Sequence, residues 1–223
     1  MKSTSNLSTI DIYWIPIEES YPQIAELSRT LSEQERNQAE RFRSHDDKMR
    51  FAISHGWLRR ILSSYTGIEP RRLDLRSGPH GKPFMNAGPK FNLSHSEVSA
   101  LVAVSNQVAV GVDVESIGEV PEAVSIAEKF FSQPDAETLS KFEASARSNC
   151  FLRLWTRKEA YLKATGDGIS MGLNRFTVGL KRSMIYDSEN KPWGLINLTC
   201  SPDCIAALCA PGHYVYRQRA LPE

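Results

Sequence analysis

The stretch from Val108 to Glu115 alternates strictly between two kinds of side chain, and it limits the fold more than any other part of the chain. Its sequence, Val-Ala-Val-Gly-Val-Asp-Val-Glu, places a valine at every second position. Successive side chains of a β-strand point to opposite faces, so the valines share one face and Gly111, Asp113 and Glu115 share the other. The pattern therefore predicts a strand whose valine face packs in a core.

Other segments carry helix or strand patterns, and their order indicates a protein of mixed α and β structure. Ser32 with Glu35 three residues later resembles a capping box that starts a helix. The segment Asp46–Tyr65 has apolar residues at helical spacing and ends at Gly67. Further helices are predicted at 123–130, 136–146 and 149–164. Strands are predicted at 10–17, 91–93, 100–104, 108–114, 176–180, 193–199, 204–209 and 214–217.

Length and composition exclude several classes of protein. The chain has 223 residues, 41% hydrophobic and 24% charged, as in ordinary globular domains. Its net charge of +1 gives no global attraction to nucleic acid or to an anionic membrane, so neither partner is expected. The apolar runs are too short for a membrane span and the N-terminus is not signal-like, so a cytoplasmic location is expected. The four cysteines suit neither a zinc ribbon nor a disulfide framework and are interpreted as buried apolar side chains.

Two carboxylates stand on the second face of the predicted strand. Asp113 and Glu115 would lie about 6–7 Å apart, which is too far for one shared proton but suits two ligands of one metal ion. Gly111 on the same face is expected to let a ligand approach the backbone closely. The alternative is a solvent-exposed strand face, because exposed charges on strands are common.

The predicted helix 149–164 carries a second set of polar residues. Trp155, Glu159 and Lys163 follow one another at helical spacing and form one stripe. Lys158 adds a further basic group beside Glu159. The alternative is a surface Glu–Lys pair next to a core tryptophan.

Basic and polar groups that could contact an anion occur in three places. His95 lies between two serines after a short apolar run, which indicates an anion contact or, alternatively, a capping turn. Lys82 lies in a Gly-Lys-Pro turn and is either a phosphate contact or a surface lysine. Arginines, which favour bidentate phosphate contacts, occur on the two N-terminal helices, where interleaved acidic residues make surface pairing equally consistent. These arginines are Arg36, Arg41, Arg43, Arg50, Arg59 and Arg60.

Four of these segments together resemble the Sfp-type 4′-phosphopantetheinyl transferases in identity, order and separation. They are residues 81–83, 91–96, 111–115 and 155–163. The resemblance implies an α+β fold built as a pseudo-two-fold duplication of two similar lobes, 1–107 and 108–223, with the active site in the cleft between them. It implies Mg²⁺-dependent transfer of the 4′-phosphopantetheine group from coenzyme A to a carrier-protein serine, with release of adenosine 3′,5′-bisphosphate.

The resemblance also implies roles for individual residues. Asp113, Glu115 and Glu159 would bind Mg²⁺, or Mn²⁺, with the pyrophosphate of coenzyme A. Glu159 is the candidate general base, and Lys163 would act with it at the pyrophosphate. The residues implied to contact coenzyme A are Arg36, Arg41, Arg50, Lys82, Ser94, His95 and Lys163. Gln38 and His55 stand where relatives often have basic residues, so a rearranged grip on the 3′-phosphate is expected.

Two other functions remain open on the sequence alone. A Mg²⁺-dependent phosphodiesterase or nuclease would need the same carboxylates, although the near-neutral charge argues against a nucleic-acid substrate. A non-catalytic module that binds a carrier protein or a nucleotide would not need the intact set. The expected partner is an apo acyl or peptidyl carrier protein of polyketide, nonribosomal-peptide or fatty-acid synthesis. The segment Ile117–Phe131 is the candidate docking surface, and a monomer is expected.

Overall fold

The computed structural model describes residues 7–78, 80–168, 171–199 and 201–222. These residues form two four-stranded sheets, one short hairpin and six α-helices. The strands are β1 (Ser8–Pro16), β2 (Arg76–Ser77), β3 (Pro83–Phe84), β4 (Lys90–His95), β5 (Ser99–Ser105), β6 (Gly111–Ser116), β7 (Met184–Tyr186), β8 (Pro192–Leu198), β9 (Cys204–Pro211) and β10 (Tyr214–Arg219). The helices are α1 (Ile24–Thr30), α2 (Glu33–Ala39), α3 (His45–Thr66), α4 (Ala123–Phe130), α5 (Gln133–Ser140) and α6 (Ala144–Thr165). Across the described residues, no helix has both the length and the apolar character that a bilayer crossing needs.

The two sheets repeat one topology. The first contains the antiparallel order β1–β5–β4 and the second the antiparallel order β6–β9–β8. In each half a 22-residue helix, α3 or α6, lies in sequence between the first strand and the closing hairpin. Gly67 and Gly166 follow these helices with φ of 70° and 84°, the left-handed conformation that glycine adopts readily at a helix end. The predicted α+β fold of two similar lobes is confirmed.

The last strand returns to the first sheet. β10 pairs in parallel with β1, so residues 214–219 extend the sheet of the N-terminal lobe. A side-chain contact supports this pairing, because the guanidinium of Arg217 on β10 contacts Asp11 on β1 at 3.1 Å. The hydroxyl of Tyr65 on α3 donates to the same carboxylate at 2.6 Å. The division between residues 107 and 108 stays a prediction, and β10 adds a C-terminal segment to the first lobe's sheet.

The valine face of β6 lies in an apolar core that both sheets share. Val112 and Val114 pack there with residues of β1 and β5 from the first sheet and of β8 and β9 from the second. The predicted packing of this face is therefore confirmed, although β6 begins at Gly111 and not at Val108. Burial of this face fixes the opposite face of β6 toward α6.

Gly111 makes room for a helix and not for a ligand. A Cβ atom at this position would lie 2.1 Å from the carbonyl oxygen of Ala160 and 2.3 Å from the amide nitrogen of Ala164. Both atoms belong to the backbone of α6, so a side chain could be admitted only if the helix moved away from β6. The expectation that Gly111 admits a ligand to the strand backbone is wrong.

Two predicted elements differ in the structure. The segment 176–180 is not a strand, because its backbone groups bond to buried side chains: Asp135 accepts from the amides of Val178 and Gly179, and Lys158 donates to the carbonyl of Phe176. The predicted helix 136–146 is two helices, since α5 ends at Ser140 and α6 begins at Ala144. The partners of the segment 176–180 are distant in sequence, so local periodicity cannot reveal them.

The predicted capping box at Ser32 is confirmed, and it has a second role. Ser32 and Glu35 exchange the two expected hydrogen bonds at the start of α2. The carboxylate of Glu35 also accepts from Nε of Arg59 at 2.5 Å and meets Nδ1 of His55 at 3.2 Å, both on α3. Burial would raise the pKa of Glu35, but the hydrogen bond with His55 and the charge of Arg59 outweigh it and lower the pKa to about 2.

We expect Gly111→Ala to lower the free energy of unfolding by at least about 2 kcal/mol, because α6 must shift to admit the methyl group. Urea unfolding measures this loss. The matched control is Gly118→Ala, since no described atom lies within 4 Å of a Cβ at Gly118. Equal stability of the two variants would contradict the close packing of β6 on α6.

We expect Glu35→Gln to lower the free energy of unfolding by about 3 kcal/mol at pH 7, which corresponds to a pKa lowered from 4.5 to about 2. The unfolded state binds a proton at Glu35 before the folded state does, so this stabilisation disappears as the pH falls from about 4.5 to about 2. Urea unfolding between pH 7 and pH 3 should show the difference from the unsubstituted protein shrinking. Glu33→Gln, on the exposed side of α2, is the control, and a pH-independent difference for Glu35→Gln would contradict this account.

Candidate functional site

Three carboxylates converge where α6 crosses β6. Asp113 is 4% exposed and Glu159 is 8% exposed, while Glu115 and Lys163 are half-buried. A solvent-exposed strand face is therefore wrong for Asp113. The surface Glu–Lys pair is equally wrong for Glu159, because this side of α6 covers β6.

Asp113 is held by contacts from three elements. Nζ of Lys163, on α6, lies 2.6 Å from Oδ1 of Asp113 and 3.0 Å from Oγ of Ser94. Oγ of Ser94, on β4, donates to the same Oδ1 at 2.8 Å. One oxygen of Asp113 therefore receives two hydrogen bonds, one of them from a cation, and a strand of each sheet meets α6 at this point.

Side chains of β4 also satisfy the backbone of β6. Oδ1 of Asn92 accepts from the amide of Val112 at 2.8 Å, and Oγ of Ser94 accepts from the amide of Val114 at 3.4 Å. These side-chain hydrogen bonds join the edge strands of the two sheets in place of backbone pairing. They fix the position of Asp113 relative to the residues of β4. The sequence patterns predict no role for Asn92; the available signal is a polar residue between Phe91 and Leu93 in an apolar strand.

The second oxygen of Asp113 and one oxygen of Glu159 lack partners. Oδ2 of Asp113 and Oε1 of Glu159 are buried and have no hydrogen-bond partner among the described residues. Buried carboxylate oxygens are normally satisfied, so each of these two atoms needs an explanation. Among the described residues, no group of three or more histidine, cysteine or acidic side chains is arranged to hold a metal ion as it stands. Two orphaned carboxylate oxygens on neighbouring elements are donors of the kind that a hard cation such as Mg²⁺ prefers.

Burial and mutual repulsion raise the pKa of two carboxyl groups of this site. Burial and then the charge of Asp113 raise the pKa of Glu115 to about 7, against an opposing effect of Lys163. Burial and then Asp113 also raise the pKa of Glu159. Three carboxylates close together favour either a proton or a cation, and Lys163 compensates only part of their charge.

Cationic and imidazole groups border the carboxylates on one side. Desolvation lowers the pKa of His95, and His55, Lys163 and Arg50 lower it further against an opposing effect of Asp113. This shift favours the neutral imidazole. An open depression of about 430 Å³, which we call the interlobe depression, joins this group to β6. Its lining residues are Asp47, Arg50, His95, Ser96, Glu97, Glu115, Ser116, Ile117 and Gly118.

Two of the predicted arginines lie elsewhere. Arg36 is exposed and its guanidinium donates to the carbonyl of Leu31 at 2.5 Å. Arg41 lines a separate depression along α2, whose lining includes none of the three carboxylates. The structure therefore brings Arg50 toward the carboxylates and does not bring Arg36 or Arg41 there, and coenzyme A contacts of all three stay predictions.

Lys82 is not a surface-turn lysine. Its ammonium is directed inward and donates to the carbonyl oxygen of Val110 at 3.0 Å and to that of Lys163. A surface-turn lysine is therefore wrong, and the phosphate contact stays a prediction.

Lys158 is not part of the site. Its ammonium points to the other side of α6, where it forms a fully buried ion pair with Asp135 at 2.8 Å and donates to the carbonyls of Leu173 and Phe176. Arg157 is also buried there and donates to the carbonyl of Val178. The expectation of a second basic group beside Glu159 is wrong, because adjacent residues of a helix face different directions.

Comparison with known proteins identifies the family. Residues 13–107 match the family model described as "4′-phosphopantetheinyl transferase, N-terminal", and residues 109–201 match "4′-phosphopantetheinyl transferase superfamily". The 4′-phosphopantetheinyl transferase HetI of Nostoc sp. is 34% identical over 209 residues, which cover 91% of this chain and 88% of HetI. The 4′-phosphopantetheinyl transferase psf-1 of Bacillus pumilus is 36% identical over 71% of this chain and 67% of its own. Sfp of Bacillus subtilis is 26% identical over 81% of this chain and 82% of its own.

The candidate site residues lie within the two matched regions. Asp113, Glu115, Glu159 and Lys163 all lie inside the second matched region, and Ser94 and His95 lie inside the first. With two similar sheet-containing lobes and relatives that match over most of their length, this chain belongs to the Sfp-type 4′-phosphopantetheinyl transferases and is an enzyme of that family.

Proposed function

We propose that this enzyme transfers the 4′-phosphopantetheine group of coenzyme A to a serine hydroxyl of an acyl or peptidyl carrier protein. The observation that carries the proposal is the contact of Lys163 with Asp113 beside the buried, unpartnered oxygen of Glu159. A lysine next to acidic groups can meet a pyrophosphate only if a further positive charge balances the carboxylates, as in metal-assisted phosphoryl transfer.

The proposed cation is Mg²⁺, with Mn²⁺ as a possible substitute. Asp113, Glu115 and Glu159 would hold it, and when bound it would offset the charge of the pyrophosphate and of the transition state. The two orphaned carboxylate oxygens support this assignment. Ser94 keeps Oδ1 of Asp113 occupied, so Oδ2 is the oxygen left for the cation.

The proposed reaction forms one bond and breaks one bond at the β-phosphorus of coenzyme A. The carrier serine oxygen bonds to this phosphorus as the bond to the bridging oxygen breaks. The bridging oxygen leaves on adenosine 3′,5′-bisphosphate. The serine proton passes to Glu159, directly or through a water molecule. The ammonium of Lys163 stabilises negative charge on the pyrophosphate.

The proposed path of coenzyme A follows the interlobe depression. Arg50 and the imidazole of His95 line it together with Glu115, so phosphate groups bound there would lie next to the proposed cation. Ser94 contributes by holding Asp113 and Lys163 in place. The cleft between the lobes thereby serves as the active site.

The proposed carrier surface is Ile117–Phe131, which leads directly away from Glu115. Ile117 is 43% exposed and Phe130 is 47% exposed, and the cation of Lys129 lies 5.1 Å from the ring of Phe130. Exposed apolar groups with a neighbouring cation suit an acidic carrier protein. We propose carriers of polyketide, nonribosomal-peptide or fatty-acid synthesis as partners, and a cytoplasmic monomer as the working form.

The direct test of the proposed activity is mass spectrometry of the acceptor. Several purified apo carrier proteins are incubated with the enzyme, coenzyme A and Mg²⁺. We expect at least one carrier to gain the mass of one phosphopantetheine group, and a carrier-serine→Ala variant to gain none. Absence of the mass gain on every carrier would refute the proposal. Carrier-independent hydrolysis of coenzyme A would favour the phosphodiesterase instead.

We expect Glu159→Gln to lower kcat by about 10²- to 10⁴-fold while KM for coenzyme A changes little, because it removes the proton acceptor but keeps the shape of the side chain. Steady-state kinetics at saturating carrier and Mg²⁺ measure both constants. Glu143→Gln, at the exposed start of the same helix, is the control. Parallel losses in kcat and in the affinity for coenzyme A would overturn the assignment of Glu159 as the base.

A further inference from the structure

Lys82 joins an N-terminal loop to two elements of the C-terminal lobe. It lies between Gly81 and β3, and its ammonium donates to the carbonyls of Val110 and Lys163. Val110 immediately precedes β6, and Lys163 belongs to the last turn of α6. The last carbonyls of an α-helix lack partners within the helix, and a cation is favourable there because it opposes the helix dipole.

A second contact brings the same loop against the segment after α6. A Cβ atom on Gly168 would lie 2.7 Å from Cγ of His80, so the backbone at Gly168 and the imidazole are in close contact. This contact is independent of the Lys82 hydrogen bonds. The loop around residues 80–82 therefore contacts both the last turn of α6 and the segment that follows it.

The Lys82 contact matters for the site because Lys163 links the two: its backbone bonds to Lys82 and its side chain to Asp113. Its carbonyl accepts from Lys82, and its own ammonium contacts Oδ1 of Asp113 at 2.6 Å. Lys82 thus bonds to the backbone at both elements that the Lys163–Asp113 contact joins, the end of α6 and the start of β6.

We propose that Lys82 is a positioning residue that clamps the end of α6 to the start of β6 and so sets the distance between Lys163 and Asp113. Its role in turnover rests on the proposed function; its role as a clamp does not. The proposal differs from a phosphate contact, because an ammonium shared between two carbonyls already has acceptors for two of its three N–H groups.

Hydrogen exchange tests the clamp without any assay of activity. In Lys82→Met we expect the amides of residues 162–166 to exchange about tenfold faster or more, while the matching end of α3 is unchanged. Lys141→Met, at an exposed position after α5, is the control and should change neither helix. Lys82→Arg keeps a cation with several donors and should recover part of the protection. Unchanged exchange at residues 162–166 in Lys82→Met, or equal losses in the Met and Arg variants, would overturn the clamp.

Kinetics with two substrates separate a positioning role from a phosphate contact. For a positioning role, Lys82→Met should lower kcat by about tenfold with little change in KM, and by the same factor with coenzyme A and with 3′-dephospho-coenzyme A. A rise in KM confined to coenzyme A would assign Lys82 to the 3′-phosphate and overturn the positioning role. If the unsubstituted enzyme transfers nothing to any carrier, the proposed function fails, and the exchange experiment still decides whether the clamp exists.

Discussion

The hydrogen-bonded group of Lys163, Ser94 and Asp113 is the contact on which the rest of the site depends. Its three members come from α6, β4 and β6, so it ties the edge of one sheet to the edge of the other and to the helix above them. A buried carboxylate next to two further carboxylates would be costly without such a cation. The same group leaves one oxygen of Asp113 unpartnered, and this is the oxygen that we propose for a divalent ion.

Helix α6 serves two purposes because its two sides face different surroundings. One side carries Glu159 and Lys163 across β6, where Gly111 allows the backbones to touch. The other side carries Lys158, whose buried pair with Asp135 anchors the helix to α5 and to the irregular segment that replaces the expected strand. A rigid helix anchored from behind holds the proposed catalytic groups more exactly than a loop would. In the charged run at residues 157–159, Arg157 and Lys158 thus make buried structural contacts, and Glu159 belongs to the candidate site.

How much the sequence foretells depends on whether a feature is local. The Ser32 capping box and the valine face of β6 follow from spacing alone, and both are confirmed. The segment 176–180 could not be predicted correctly, since its conformation depends on Asp135 and Lys158, which are distant in sequence. The interpretation of Lys82 as a surface lysine is wrong for the same reason. Nothing near Lys82 in the chain shows that the carbonyls of Val110 and Lys163 lie within its reach. Side-chain direction around a helix and contacts between lobes need the tertiary structure.

The most direct test of the central claim is the binding of a divalent cation measured by isothermal titration calorimetry, with and without coenzyme A. The site described here predicts that Mg²⁺ or Mn²⁺ binds more tightly when coenzyme A is present. It also predicts that Asp113→Asn, which keeps the shape of the side chain but removes its charge, loses most of that binding, whereas Asp74→Asn at an exposed ion pair does not. Cation affinity that is the same in Asp113→Asn as in the unsubstituted enzyme would contradict the assignment of these carboxylates.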